Sequence, residues 1–186
     1  MNHRIPILYD AALRPEWIDY ALDRFISAAS ETELRATLTN YLRPQIKGDV
    51  TLDKAVRQLQ RTAGYKSPLP KDQLTTLHCK MSMLSPSERV DFRIYLLTAS
   101  NAFVSDCINV IKRLTLLGVD GIEIKHVYER VSAQYGDRST VYRRVRYVLQ
   151  TLLLCGFITN RDHRWFLVDS AVATRSRERQ FRPEGL

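Results

Sequence analysis

The chain has 186 residues, a net charge of +8 and a pI near 9.6. Its 45% apolar content supports one sizeable core or two small ones. No apolar run exceeds four or five residues, far short of the roughly 20 that span a bilayer, so no membrane partner is expected. The positive excess favours anionic partners, nucleic acid before an anionic membrane surface. Three dispersed cysteines, Cys79, Cys107 and Cys155, exclude a disulfide framework. Each has apolar neighbours and reads as a buried free thiol. The first 15 residues lack the pattern of a secretory leader. A soluble, cytoplasmic protein is the expectation.

In chain order, residues 1–13 read as an extended lead-in docked through Ile5, Ile7 and Leu8. Pro15 suits the first position of a helix, where a missing N–H costs nothing. Ile18, Leu22, Phe25, Ile26 and Ala29 form its apolar stripe. Ser30 and Glu33 make a capping box for a second helix that carries Leu34, Leu38, Tyr41 and Leu42 and ends before Pro44. Residues 52–62 form a third, with Ala55, Val56 and Leu59 inside and Lys54, Arg57 and Arg61 on a solvated face. Gly64 is its expected C-cap. After a proline-rich loop, residues 71–83 form a fourth helix around Leu74, Leu77 and Met81. Ser85, Pro86 and Glu88 signal the start of a fifth, with Val90, Ile94, Tyr95 and Leu97.

Residues 103–117 are apolar nearly all round, which predicts a buried central helix ended by Gly118. Residues 121–124 suit one short strand. Residues 125–135 suit a helix with Val127, Tyr128 and Val131 inward.

The next stretch, YGDRSTVYRRVRYVLQTLLLCGFITNRDHRWFLV, residues 135–168, reads as a tight turn, a basic helix and a β-hairpin. Helix, short strand, helix, turn, helix and hairpin is the order of a winged helix, a relative of the helix-turn-helix. Asp137 or Ser139 is placed to cap the long helix. Val141, Val145, Val148, Leu149 and Leu152 repeat at helical spacing and face inward. Ser139, Tyr142, Arg143, Arg146 and Gln150 share the opposite face, with Arg138 at the start and Arg144 on the flank. Arginine can fork onto guanine, glutamine onto adenine, and serine or tyrosine onto phosphate. Base contacts come mainly from the first turns of such a helix. That ranks Arg138, Ser139, Tyr142, Arg143 and Arg146 above Gln150. The wing takes residues 157–159 as one strand, 160–163 as its tip and 164–168 as the other strand. Arg161, His163 and Arg164 are its candidate contacts.

From Arg138 to the end there are ten arginines, no lysine and four acids, a net +6 of the total +8. This asymmetry locates the anion-binding end. A winged helix can also grip a protein or RNA, and an arginine-rich face can be merely solvated, so those readings stay open.

Residues 135–158 resemble the C-terminal part of the BrxA family, small helical proteins of bacterial BREX phage-defence systems. An Asp/Ser/Thr helix start, an arginine-rich helix and a short apolar exit carry the resemblance. It implies a non-enzymatic DNA-binding accessory that works beside other defence-system proteins. It also implies contacts to double-stranded DNA through Arg138, Ser139, Arg143 and Arg146.

The expected fold is mostly α. An N-terminal helical bundle (1–99) precedes a C-terminal winged-helix domain (100–170) and a basic tail (171–186). The alternatives are a winged-helix protein adaptor and a transcription regulator. The seven glycines form no phosphate-cradling motif, and the four histidines lack partners at metal spacing. No cofactor, metal site or catalytic residue is expected.

Overall fold

The computed structural model describes residues 9–168; the 171–186 tail and the lead-in residues Ile5, Ile7 and Leu8 lie outside them. The described residues are mostly helical. The helices are α1 (Pro15–Ser27), α2 (Glu31–Leu42), α3 (Asp49–Ala63), α4 (Lys71–Ser82), α5 (Val90–Ser100), α6 (Ala102–Leu116), α7 (Ile124–Tyr135) and α8 (Ser139–Leu154). An antiparallel hairpin, β1 (Ile158–Arg161) and β2 (Arg164–Leu167), follows. No helix among the described residues is long and apolar enough to cross a membrane.

Local chemistry sets several helix starts. Pro15 opens α1. Ser30 caps α2 by accepting from the Glu33 N–H, while the Glu33 carboxylate reaches back to the Ala29 N–H. The α1 stripe is shorter than its spacing predicts: the helix ends at Ser27, and Ala29 is exposed.

The most enclosed helix of the bundle is α3, which packs on α1, α2 and α5. Besides Leu52, Ala55, Val56 and Leu59 it buries Gln58, Gln60 and Thr62. Gln60 Nε2 donates to the Glu31 carbonyl and Thr62 Oγ1 to the Gln58 carbonyl, which lowers the cost of burial. Arg57 pairs with Asp53 at 2.8 Å on the half-exposed side. Gly64 does not close α3 in a left-handed conformation. Its φ is −148°, and an added Cβ would sit 2.9 Å from Leu34 Cδ2 and 3.0 Å from the Gln60 Cα. Space, not φ, demands glycine there.

Three further expectations change. Cys79 is exposed while Cys107 and Cys155 are buried, because α4 turns only Leu74 and Met81 fully inward. Tyr95 is also exposed, and its hydroxyl accepts from Gln73. The α5 helix begins at Val90, after a turn at residues 86–89, although Glu88 does accept from the Ser85 N–H. Side chains tie that turn instead of a helical ladder: Arg93 Nη1 donates to the Pro86 carbonyl and Arg89 Nε to the Leu84 carbonyl.

The same two arginines converge on Asp19 of α1. Arg93 Nε and Nη2 grip its two oxygens at 2.8 and 2.7 Å, and Arg89 Nη1 adds a third bond at 3.0 Å. Arg93 is only 4% exposed. Cys155, just past the end of α8, lines the same hollow as Asp19 and Arg93, and burial pushes its thiol up to about 12. The knot therefore sits where α1, α5 and the end of α8 meet. Breaking one side of a buried pair strands the other charge. Asp19→Asn is expected to destabilise the fold by about 3 kcal/mol, read as a lower denaturant midpoint at unchanged slope. An unchanged midpoint would show that the knot carries no stability.

Candidate nucleic-acid interface

The C-terminal third is held by α6. Phe103 packs edge-to-face on Tyr135 of α7 at 5.0 Å, and the Tyr135 hydroxyl donates to Asp106 at 2.6 Å. Burial, with that bond, raises the Tyr135 phenol well above its ordinary range. The strand expected at residues 121–124 is a single bridge. Ile122 and Trp165 exchange both backbone bonds, at 2.9 and 2.8 Å, and Ile124 already begins α7. The Glu123–His126 capping box claims the residues that would have extended the strand.

Between α7 and α8 the turn differs from its expected cap. Asp137 accepts from the Tyr128 hydroxyl, a bond that raises the Tyr128 phenol. Ser139 is the first helical residue, and Arg138 takes the N-cap position with no side-chain cap bond. Tyr128 also packs edge-to-face on Tyr142 at 5.4 Å, so one ring orients both the turn and the first turn of α8.

Along α8 the inward set is as the spacing predicts: Val141, Val145, Val148, Leu149 and Leu152 are buried. Ser139, Tyr142, Arg143, Arg146 and Gln150 are all exposed on the opposite face. From Ser139 to Gln150 that face runs about 16 Å. Arg143 and Arg146 take part in no ion pair among the described residues. Arg138 does not join them freely. It is half-buried, its Nη2 donates to the Tyr135 carbonyl at 2.9 Å, and its Nε is buried without a partner among the described residues.

Periodicity gives no hint of a strap across α8. The Thr151 hydroxyl, fully buried, accepts from the Tyr9 hydroxyl at 2.8 Å and from the Leu13 N–H at 2.9 Å. Burial drives the Tyr9 phenol far above its usual range. Asp10 takes Arg144 through Nη2 at 2.7 Å and Nε at 3.1 Å. Residues 9–13 thus lie on α8 although 138 positions separate Leu13 from Thr151. A threonine inside an apolar helix face was the available signal.

The hairpin is tighter than expected. Asn160 and Arg161 pair within β1, and the tip is Asp162-His163 alone, with φ of 49° and 61°. Two positive φ values fit the right-handed twist of a two-residue hairpin, and Asp and His tolerate them better than most residues. Arg161 lies directly opposite Arg164. Facing like charges disfavour the pairing, which an anion between them would relieve. Arg161, His163 and Arg164 are exposed, but Arg164 is tethered: its Nη1 donates to the Asp120 carbonyl at 3.4 Å, and its stem crosses Gly121.

No three His, Cys, Asp or Glu side chains among the described residues group to hold a metal. A hollow of about 370 Å³ between α1, α2 and α4 carries Glu16, Asp19, Asp23 and His78. Asp19 is occupied by arginines and Asp23 contacts His78 at 3.2 Å.

Gly121 sets how closely the hairpin approaches α7. A Cβ there would fall 2.6 Å from Arg164 Cδ and 2.8 Å from its Cβ, at a φ of +77°. Gly121→Ala is expected to cost about 2 kcal/mol and to speed hydrogen exchange at the Ile122 and Trp165 amides. Unchanged protection at those two amides would refute this packing role. The chain matches no family model, no curated protein and no solved structure.

Proposed function

We propose that the C-terminal unit is a winged helix that binds duplex DNA, with α8 in the major groove and the β1–β2 hairpin as the wing. The observation that carries this reading is the exposed α8 face, where Arg143 and Arg146 stand beside Ser139, Tyr142 and Gln150 without a carboxylate partner among the described residues. Duplex DNA is favoured over duplex RNA, whose deep, narrow major groove excludes side chains. Arg143 and Arg146 are the base-reading candidates. Ser139, and the N–H groups of the first turn that no side chain caps, suit a backbone phosphate. Arg161 and His163 are the wing's free contacts, while Arg138 and Arg164 act partly by shaping their own turns.

The protein is read as a non-enzymatic accessory of a BREX-like phage-defence system. The likeness of residues 135–158 to the BrxA family supports that setting.

Fluorescence anisotropy with labelled duplex DNA tests the binding. The log–log salt slope is expected to lie at roughly −4 to −6, for about five or six neutralised phosphates. Arg143→Ala with Arg146→Ala is expected to weaken binding at least about 30-fold at an unchanged melting temperature. Arg144→Ala is the control: its loss frees Asp10, lowers the melting temperature and leaves the salt slope as it was. Binding indifferent to salt, or a double variant that holds DNA normally, refutes the proposal.

A further inference from the structure

The sequence places an almost unbroken apolar surface around α6, but the fold uses only part of it. Phe103, Val104, Cys107, Ile108, Ile111 and Leu114 enter the core. Leu116 and Leu117 remain 77% and 69% exposed. Closure of the helix does not account for them. Gly118, at a φ of +75°, lets the Val119 N–H reach the Leu114 carbonyl and the Gly118 N–H the Thr115 carbonyl. The apolar pair that usually accompanies such a closure is Leu114 with Val119, and both pack into the core. Leu116 and Leu117 point to solvent beside it.

One turn earlier stand Lys112 and Arg113, exposed and in no ion pair among the described residues. The spacings 112 to 116 and 113 to 117 are each four, so each cation adjoins a leucine on the surface. Arg113 also offsets the negative end of the helix, which explains one cation but not the apolar pair.

We propose that this end of α6 docks an acidic, apolar-faced segment of a partner protein. The charge pattern selects that occupant. A DNA duplex supplies phosphates for Lys112 and Arg113 but little apolar surface for two leucines. A bilayer requires a long apolar face, and this one spans a single helical turn. A second copy about a two-fold axis would bring the same cations toward each other. A segment with leucine-like side chains flanked by carboxylates satisfies both halves of the patch. This proposal stands apart from the DNA reading, since none of these four residues belongs to the α8 face or the hairpin.

The test titrates the full chain into a fluorescein-labelled synthetic helix with leucines on one face and glutamates along its edge. Saturable binding is expected, weakened at least about tenfold by L116S/L117S and again by K112E/R113E. Duplex-DNA affinity and melting temperature should not change in L116S/L117S. No binding of the helix overturns the proposal, as does binding that survives L116S/L117S or that persists when the probe's leucines are replaced by serine. A dimer in sedimentation that L116S/L117S dissolves would assign the patch to a second copy instead. Leucine-dependent binding to phosphatidylserine vesicles would assign it to a membrane.

Discussion

Asp19 is the point at which the fold is tied. Three guanidinium bonds end on its carboxylate, and the same two arginines hold the carbonyls of Leu84 and Pro86. The turn before α5 thus takes its shape from side chains anchored on α1. A buried guanidinium is tolerable only with its charge and its donors satisfied together. Asp19 and the Pro86 carbonyl do this for Arg93, so α1 and α5 cannot slide past each other without stranding a charge. Cys155 lines the same seam, which brings the exit of α8 against the bundle.

A second tie fixes α8 from the other side. The Thr151 hydroxyl collects two donors from residues 9–13, and Asp10 neutralises Arg144. Of the four arginines at 138, 143, 144 and 146, the turn claims the first and the strap claims the third. Arg143 and Arg146 remain in no ion pair among the described residues. The residue that a helical wheel places on the flank has a structural partner far away in the chain. Charge counting along α8 overstates the number of cations free for a ligand.

The exposed surfaces divide by chemistry. The outward face of α8 is polar and cationic. The end of α6 combines two cations with two leucines, a mixture that suits a protein better than a phosphate backbone. The two surfaces belong to different helices, so occupancy of one does not by itself consume the residues of the other.

Local interactions decided what one sequence could reveal by itself. Pro15, Ser30 with Glu33, and Gly118 after α6 act within a turn of their own position, so those helix ends could be read closely. The inward valines and leucines of α8 follow from a 3.6-residue period, and with them its outward arginines. The tertiary structure decided which polar residues go inside. Gln60, Arg93 and Thr151 look like surface residues until a group from another segment takes up hydrogen bonding from their side chains, and Gln58 goes inside with its Nε2 unpartnered among the described residues. It also decided that the GIEI stretch is one bridge to Trp165, that Asp137 serves Tyr128 and not the helix end, and that Leu116 and Leu117 stay outside. These outcomes turn on which distant groups arrive in reach, and composition and spacing carry no record of that.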